Sequence, residues 1–340
     1  MRTSGTRAVL VGNLTDIFSC VQQVLADSGA QVDWFRAFPD FTEHADAEPQ
    51  AIGATNLIVA MGNMPIEHLL MDRMPQLRGL ISPITGIEGF DRPAATERGI
   101  VIANGQTPEN YESMAEATIL LALAAMYELP GALKALKMGW PDGAHIRGRM
   151  LRHRRVGLVG FGAIAQAVVK RLIGWDVEIV AYIPRPKPLP SHVQSIDLDD
   201  LMRSSDIVLV LAALTAESRH LIDERRIGLM KPNALLVNTA RGGLVDEAAL
   251  VRAASNGRIR VALDSFEIEP LPPDAIIRDL PGALLTPHCV GHTIETLAAT
   301  RRACIDNVMA VLAGNPPPYT VNPEVLPRWI ERWQNTRQSI

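Results

Sequence analysis

Short apolar runs alternate with helical patterns along almost the whole chain of 340 residues. Strand-like runs such as AVLVG, QVDWF, NLIVAMG and LRGLIS are separated by helical stretches such as IFSCVQQVLADSG and IEHLLMDRM. Strands that alternate with helices are joined by right-handed crossovers and form a parallel sheet. The chain is therefore predicted to be an α/β protein, and its length suggests about two domains.

A second α/β series follows a long predicted helix, Asn110 to Leu129, and a polar, Gly-rich, basic segment, 137–155. Its strands are predicted at RVGLVG, VEIVAYI, DIVLVLAAL, NALLVNTA, RVALDSF and ALLTPH, a spacing that fits a six-stranded doubly wound domain. The basic run Arg147–Arg155 is interpreted as a solvated loop rather than a phosphate-binding patch. A helix over Ile294–Ala313, a stiff connector GNPPPYTVNP and a polar tail end the sequence.

Composition excludes several classes of function. A net charge of −4 gives no sign of a nucleic-acid partner, which requires a basic face. Three widely spaced cysteines form neither a disulfide framework nor a zinc pattern, which indicates a reducing compartment and no metal site. The N-terminal apolar run is too short for a signal peptide. The longest apolar stretch contains Glu116 and Glu128, so it is interpreted as a buried helix and no membrane partner is expected.

The stretch RVGLVGFGAIAQAVVKRL places a glycine-rich turn between a predicted strand and a predicted helix. In this context Gly160 permits a tight turn, Gly162 lets backbone approach a pyrophosphate, and Ala165 replaces the third glycine of the usual pattern. The N-terminus of the helix then offers N–H groups and a positive dipole end to phosphates. The pattern favours a dinucleotide site over a plain strand–turn–helix.

The end of the next predicted strand, AYIPRPKP, indicates which nucleotide binds. The carboxylate that holds a ribose 2′-hydroxyl is expected about twenty residues after the glycine turn, but Ile183 stands there, followed by Arg185 and Lys187. An arginine can bind a 2′-phosphate bidentately. We therefore expect NADP to be preferred over NAD. The alternative is that both cations are solvated and that backbone holds the ribose.

Three polar side chains follow later predicted strands, and they are Arg241, Glu269 and His288. Ligands bind beyond the carboxyl ends of the strands in an open α/β sheet, so the three are expected to converge. Each one alone is better explained by a structural role, whereas the three together, in this order and after a nucleotide motif, favour a functional one. Glu267 and His292 lie nearby in sequence and are interpreted as supporting or surface residues.

The order NTARGGLVDEAAL, ALDSFEIEP and TPHCVGHT, with VGLVGFGAIA upstream, resembles the D-isomer-specific 2-hydroxyacid dehydrogenases, a family that includes glyoxylate/hydroxypyruvate reductases and phosphoglycerate dehydrogenases. The resemblance is strong from Val156 to Pro323 and looser before Asn104. It implies a catalytic set of Arg241, Glu269 and His288. The guanidinium of Arg241 would bind the carboxylate and carbonyl of a 2-oxo acid. His288 would be the general acid/base, and Glu269 would hold its ring.

The resemblance also implies two Rossmann-like, doubly wound parallel-sheet domains, the first flavodoxin-like and discontinuous. Residues 1–108 and 292–340 would form the substrate (catalytic) domain, and 109–291 the dinucleotide-binding domain. The substrate would bind in the cleft between them, with contacts from Gly86, Ile87 and Arg241. The expected cofactor contacts are Gly160, Phe161, Gly162, Ala163, Ile164, Arg185, Thr215, Thr239, Ala240, Asp264 and Gly291. For Asp264, a strand-end capping role is an alternative.

Two departures from the family pattern stand out. In the glycine-containing segment SPITGIEGFD, which also contains Gly89, the carboxylate of Glu88 stands where a small residue is usual. It either points away from the substrate or meets a cationic or hydroxyl-bearing part of it. In LVLAAL, the family commonly has a histidine and a proline before the Leu-Thr pair, whereas this sequence has Ala213 before Leu214 and Thr215. The substrate within the 2-oxo acids is left open.

The sequence thus predicts a cytoplasmic NAD(P)H-dependent enzyme, an oxidoreductase that reduces a small 2-oxo acid to a D-2-hydroxy acid and catalyses the reverse reaction. Glyoxylate and hydroxypyruvate are the first candidates. A homodimer formed through the nucleotide domain is implied by the resemblance. The alternative is a nucleotide-sensing, corepressor-like scaffold of the same superfamily, which would show no turnover with 2-oxo acids.

Overall fold

The computed structural model describes residues 5–140 and 146–337. It contains two compact units, Met1–Asn110 with Thr293–Ile340, and Tyr111–His292. The roles predicted for the two domains stay predictions. The polar, Gly-rich, basic segment 137–155 includes residues 141–145, which lie outside the described part of the chain.

Twelve strands form two sheets among the described residues. The first sheet contains β1 (Arg7–Val11), β2 (Gln31–Phe35), β3 (Thr55–Ala60), β4 (Gly79–Ile81) and β5 (Val101–Ala103). The second contains β6 (Arg155–Val159), β7 (Glu178–Tyr182), β8 (Val193–Ser195), β9 (Ile207–Val210), β10 (Leu235–Asn238), β11 (Arg260–Leu263) and β12 (Leu284–Leu285).

Thirteen α-helices are described: α1 (Thr15–Asp27), α2 (Phe38–Ala47), α3 (Pro49–Gly53), α4 (His68–Asp72), α5 (Arg92–Glu97), α6 (Pro108–Met126), α7 (Leu129–Lys137), α8 (Ala163–Leu172), α9 (Leu198–Ser204), α10 (Glu224–Leu229), α11 (Glu247–Ser255), α12 (Ile294–Ala313) and α13 (Leu326–Arg337). Short 3-10 helices lie at Gly242–Leu244, Ile276–Asp279 and Pro323–Val325.

Both sheets are parallel and doubly wound. The first has the order β2-β1-β3-β4-β5, which is the flavodoxin-like order. The second has the order β12-β11-β10-β9-β6-β7-β8, which is the Rossmann order with one further strand. The predicted fold class is confirmed. The strand order of the second sheet reverses between β6 and β9, and this is the point where doubly wound sheets bind their ligands.

The central strands of the second sheet are buried on both faces. Leu235 and Val237 of β10 pack into one apolar cluster, and Leu236 packs into the other. Side chains alternate between the faces of a strand, so a strand covered by helices on both sides is apolar throughout. This explains why VGLVG, IVLVL and LLVN are continuous apolar runs rather than alternating ones.

The C-terminal stretch completes the first unit. Val308 and Val311 of α12 pack into the same cluster as Leu57 of β3. Asn322, which is fully buried, accepts a hydrogen bond from the Ile102 backbone N–H at 2.7 Å through its side-chain oxygen. The first unit is therefore built from two separate parts of the chain.

Three details of the secondary-structure prediction were incomplete or wrong. The second sheet has seven strands rather than six, because β8 is a three-residue edge strand with only Val193 buried. The short strand β5 was not predicted either. The predicted polar tail contains helix α13, in which Trp329 is almost fully buried.

Among the described residues, no single helix is both long and apolar enough to cross a bilayer. The pair α6 and α7, bent by 58°, meets the length and composition criteria only when its two helices are taken together.

Candidate active site

The predicted functional residues of the second unit lie at one edge of its sheet. Every strand pair in this sheet is parallel, so the carboxyl ends of all its strands share that edge. The glycine turn follows β6, Arg241 follows β10, Glu269 follows β11, and His288 follows β12. Strand topology therefore brings together residues that are far apart in sequence.

Arg241 is presented by a tight turn that Asn238 holds. The buried side chain of Asn238 donates to the Arg241 carbonyl at 2.9 Å and accepts from the Ala240 N–H at 3.1 Å. Arg241 itself is half-buried, and its Nη1 donates to the Ala240 carbonyl at 2.8 Å. Sequence reasoning missed Asn238, although its place directly before Thr-Ala-Arg was a usable signal.

The glycine that follows Arg241 permits a close backbone contact. A Cβ at Gly242 would lie 1.9 Å from the carbonyl carbon of Phe266. Only glycine can occupy this place without moving the neighbouring backbone. The segment that carries Arg241 is therefore packed directly on the segment that leads to Glu269.

His288 and Glu269 are in direct contact. His288 Nδ1 lies 2.7 Å from Glu269 Oε2, a distance typical of a charge-assisted hydrogen bond. The other carboxylate oxygen, Oε1, accepts from the Phe266 backbone N–H at 2.9 Å. With Nδ1 directed at the carboxylate, Nε2 is the ring nitrogen left to face a reacting group. The side chains are 40% and 35% exposed, so a small molecule can reach the ring.

The electrostatics of Glu269 favour its charged form. Burial raises the pKa of its carboxyl, but the His288 and Phe266 hydrogen bonds and the charges of His288 and Arg241 outweigh burial and lower the pKa below its ordinary value. Arg241 is therefore close enough for its charge to lower the pKa of Glu269. The carboxylate remains an anion at neutral pH and can hold the imidazole in one orientation.

The turn that carries His288 is anchored by Asp264. Oδ1 of this buried carboxylate accepts from Thr286 Oγ1 at 2.7 Å and from the backbone N–H groups of Cys289 at 3.0 Å and Val290 at 3.2 Å. His288 has a φ of +52°, a left-handed conformation that few non-glycine residues adopt. The hydrogen bonds of Asp264 hold the chain on both sides of this conformation. They support the capping alternative for Asp264, and its predicted nicotinamide contact stays a prediction.

The glycine turn after β6 has the geometry that a dinucleotide requires. Gly160 has a φ of +97°, and a Cβ there would lie 2.8 Å from the Ala212 Cα. Gly162 precedes helix α8, which has no side-chain cap, and a Cβ at Gly162 would meet no protein atom within 4 Å. Ala165 is fully buried. These residues fit a bound pyrophosphate, because Gly162 leaves open space directly before a helix N-terminus.

The two cations after β7 have different surroundings. Lys187 Nζ donates to the Phe161 carbonyl of the glycine turn and lies 5.4 Å from the centre of the Phe161 ring. Arg185 is exposed and lies near enough to Glu217 for its charge to be among the causes that lower the pKa of that carboxyl. The contact of Arg185 with a 2′-phosphate stays a prediction.

The remaining predicted cofactor residues lie in or beside the same sheet edge. Thr239 is buried, and its Oγ1 lies 2.7 Å from Thr118 Oγ1 of helix α6. The carbonyl of Gly291 accepts from Ser113 Oγ at 2.9 Å. Thr215 begins an exposed turn in which its N–H donates to Ser218 Oγ at 2.7 Å. The contacts of these residues with a cofactor stay predictions, as do those of Phe161, Ala163, Ile164 and Ala240.

Two residues interpreted as supporting or surface residues have distinct surroundings. The side chain of Glu267 is paired with His220 Nε2, a contact that sequence reasoning missed. His292 is exposed, and its N–H donates to the Cys289 carbonyl at 2.9 Å.

The predicted substrate residues Gly86 and Ile87 lie in the first unit. A Cβ on Gly62 would lie 1.7 Å from the Gly86 carbonyl oxygen, which also accepts from Ser82 Oγ at 2.8 Å. The loop is therefore packed closely on the turn after β3. Ile87 is half-buried and Glu88 is exposed. The role of all three in substrate binding stays a prediction.

Comparisons with known proteins identify the family of this chain. The family model described as "D-isomer specific 2-hydroxyacid dehydrogenase, NAD binding domain" matches residues 119–290. A glyoxylate reductase of Thermofilum pendens is 38% identical over 271 residues, which cover 77% of this chain and 79% of that protein. A glyoxylate/hydroxypyruvate reductase B of Pectobacterium atrosepticum is 29% identical over 313 residues, covering 90% of this chain and 97% of that protein.

A solved structure of a reductase is also similar to this chain. The NADPH-dependent glyoxylate/hydroxypyruvate reductase of Sinorhizobium meliloti, crystallised with NADP and malonate, has a TM-score of 0.81 and 27% identity. The match covers 95% of this chain and 98% of that one.

These findings define an NAD(P)-dependent oxidoreductase that interconverts a small 2-oxo acid and a D-2-hydroxy acid. The chain belongs to the D-isomer-specific 2-hydroxyacid dehydrogenase family. The resemblance inferred from the sequence is confirmed. The corepressor-like alternative receives no support from these relatives.

The open space at Gly162 leads to a first prediction. Gly162→Val should weaken NADPH binding at least about tenfold, because its side chain fills the space a pyrophosphate would use. Its Tm should change little, since the side chain meets no protein atom at Cβ. Calorimetric titration and thermal melting measure the two effects. Gly131→Val, where the space is also open, is the control and should bind NADPH normally. Unchanged binding by Gly162→Val would contradict the assignment.

The lowered pKa of Glu269 leads to a second prediction, for stability against pH. A carboxyl whose pKa is lower in the folded state than its ordinary 4.5 contributes stability above that value, and the contribution is lost as the pH falls through the lowered pKa. The Tm difference between wild type and Glu269→Gln should stay constant from about pH 7 to about pH 5 and shrink below about pH 4.5. Scanning calorimetry at each pH measures it. A difference that grows on acidification would show that the pKa is raised instead.

Proposed function

We propose that this enzyme reduces glyoxylate, hydroxypyruvate or a 2-oxo acid of similar size to the D-2-hydroxy acid, with NADPH as the preferred reductant. The observation that carries the proposal is the 2.7 Å contact between His288 and Glu269, within range of the charge of Arg241 and at the same sheet edge as the glycine turn. The names of the relatives support the substrate class, since they include glyoxylate and glyoxylate/hydroxypyruvate reductases.

Arg241 binds and orients the substrate in this proposal. Its guanidinium presents a planar set of donors to the carboxylate and the carbonyl oxygen of a 2-oxo acid. Charge-assisted hydrogen bonds of this kind contribute about 1.5–3 kcal/mol each. The turn held by Asn238 limits the motion of the arginine, so less ordering is required when the substrate binds.

His288 moves the proton. When the substrate carbonyl carbon is reduced, Nε2 donates a proton to the carbonyl oxygen, which leaves a hydroxyl group and a neutral imidazole. Glu269 holds Nδ1, so that Nε2 is directed away from the carboxylate and can reach the substrate. In the reverse direction the neutral ring accepts the proton from the hydroxyl group.

The nicotinamide dinucleotide supplies the hydride when it is bound. Residues at Gly160–Ala165 would hold its pyrophosphate, because the turn is open at Gly162 and leads into helix α8. Arg185 would bind a 2′-phosphate, and Ile183 at the end of β7 offers no carboxylate to repel it.

A homodimer and a cytoplasmic location complete the proposal. The second unit exposes apolar side chains on α6, α7 and the turns beside them, a face that suits a second copy of the chain; these residues are Leu120, Tyr127, Leu129, Leu133, Leu136 and Met138.

The cysteines Cys20, Cys289 and Cys304 are free thiols, which fits a reducing compartment.

The catalytic assignment leads to a third prediction, tested on a panel of 2-oxo acids with both cofactors. His288→Ala should lower kcat about 10²- to 10⁴-fold because the general acid is lost. Arg241→Ala should lower kcat/KM about 10²-fold or more and raise KM for the 2-oxo acid. Glu269→Gln should lower kcat about tenfold or more, since a neutral amide no longer holds the imidazole through a charge-assisted hydrogen bond. Loss of nicotinamide absorbance measures the rates.

His292→Ala is the matched control, because His292 is an exposed histidine of the same loop. It should keep nearly wild-type rates. A His288→Ala enzyme as active as wild type would remove the assignment of the general acid. A wild-type enzyme inactive on the whole panel would remove the proposed function.

The cofactor preference leads to a fourth prediction. Arg185→Ala should lower kcat/KM for NADPH about tenfold or more, because a charge-assisted contact with the 2′-phosphate is lost. The value of kcat/KM for NADH should stay within about twofold of wild type, because NADH has no 2′-phosphate. Arg152→Ala, which removes an exposed arginine paired with Asp176, is the control and should change neither value. Steady-state kinetics with NADPH and with NADH measure both kcat/KM values for each variant. A wild-type preference for NADH would overturn the prediction.

A further inference from the structure

We propose that His220 and Glu267 form a positioning pair that fixes the segment carrying Glu269 against the segment carrying Arg241. Neither residue would touch the substrate or the nucleotide, and both would act through the geometry of the catalytic set. This inference rests on the proposed function, because the pair would affect the rate of the proposed reaction without contacting the reacting groups.

The backbone around His220 is tied to the segment that follows Arg241. The His220 N–H donates to the Gly243 carbonyl at 2.8 Å, and the Ile222 N–H donates to the Leu244 carbonyl at 3.0 Å. The Asp246 N–H returns a hydrogen bond to the Ile222 carbonyl at 3.0 Å, and Ile222 and Val245 form a parallel bridge. Residues 220–222 are therefore fixed by backbone hydrogen bonds to residues 243–246.

The side chain of His220 reaches the other catalytic segment. His220 has a φ of +50°, a left-handed backbone conformation, and its Nε2 is hydrogen-bonded to Glu267 Oε1. Left-handed conformations in residues other than glycine persist where surrounding contacts fix them. The backbone contacts of His220 and its pairing with Glu267 are such contacts.

Glu267 is two residues before Glu269, and both its side chain and its backbone N–H are hydrogen-bonded. Its N–H donates to Glu247 Oε2 at 3.0 Å, and Glu247 is the first residue of helix α11. The preceding residue, Phe266, donates its N–H to Glu269 Oε1 at 2.9 Å. A shift of Glu267 would therefore move the group that orients Glu269, and through Glu269 the ring of His288.

The exposure of the pair determines what a test should detect. The His220 and Glu267 side chains are 41% and 28% exposed, and ion pairs of this kind contribute little to folding stability. Catalytic groups, in contrast, lose rate when they move by a fraction of an ångström to one ångström. A positioning pair should therefore affect kcat while leaving Tm nearly unchanged, and an ordinary surface pair should affect neither.

The experiment is a double-mutant cycle with His220→Asn, Glu267→Gln and both together. Asparagine tolerates the left-handed backbone at residue 220 but has a shorter side chain. The control cycle uses the exposed pair of Arg152 and Asp176, with Arg152→Gln and Asp176→Asn; Asp176 also has a positive φ, of +52°. kcat, KM for glyoxylate and for NADPH, and Tm are measured for all variants.

Each single variant should lower kcat about five- to tenfold, and the double variant should be no slower than the slower single, because one shared interaction is lost. KM for NADPH should stay within about twofold, and the control cycle should have no effect on kcat. Wild-type kcat in His220→Asn, effects that multiply in the double variant, or a loss of kcat that follows a fall in Tm would each overturn the proposal.

A second measurement does not depend on turnover. The ring ¹H–¹³C signals of His288 in the nucleotide-free protein, assigned by comparison with His288→Ala, should shift in both single variants and stay unchanged in the control variants. A wild-type enzyme inactive on every 2-oxo acid would remove the proposed function, and these signals would still decide whether the pair positions the ring. Unshifted signals would overturn the inference.

Discussion

The hydrogen bond between His288 and Glu269 joins the ends of two neighbouring strands of a parallel sheet. Glu269 follows β11 and His288 follows β12, which are paired in register, so their loops leave the same edge a strand spacing apart. Arg241 follows β10, the neighbour of β11 on its other side. The geometry of the proposed catalytic set therefore depends on strand order, and any change in the pairing of β10, β11 and β12 would separate the three groups.

Buried polar side chains fix the turns that carry the half-exposed, proposed catalytic groups. Asn238 closes the turn before Arg241, and Asp264 anchors the turn on both sides of His288. Both lie at the end of a strand and are almost completely buried. Buried polar atoms require hydrogen-bond partners, so these residues have few alternatives to their observed contacts. Rigid supports beneath exposed reactive groups limit the ordering that substrate binding requires.

The predictable and unpredictable parts of the fold differ in their physical origin. The alternation of apolar runs and helices identified most strands of both sheets, because strands buried on two faces are continuously apolar. It missed β8 and β5, which are three residues long, and helix α13, which buries Trp329 beneath a polar exterior. Short edge strands and mostly polar helices have too few buried positions to leave a clear pattern.

The sequence alone determined the dinucleotide turn and the identity of the candidate catalytic residues, because Gly160, Gly162, Arg241, Glu269 and His288 stand in ordered local motifs next to apolar strands. The tertiary structure decided their partners. The pairing of His220 with Glu267 and the three side-chain hydrogen bonds of Asp264 join residues 22 to 47 positions apart. No local pattern encodes such contacts, since they exist only once the parallel strands have placed these loops side by side.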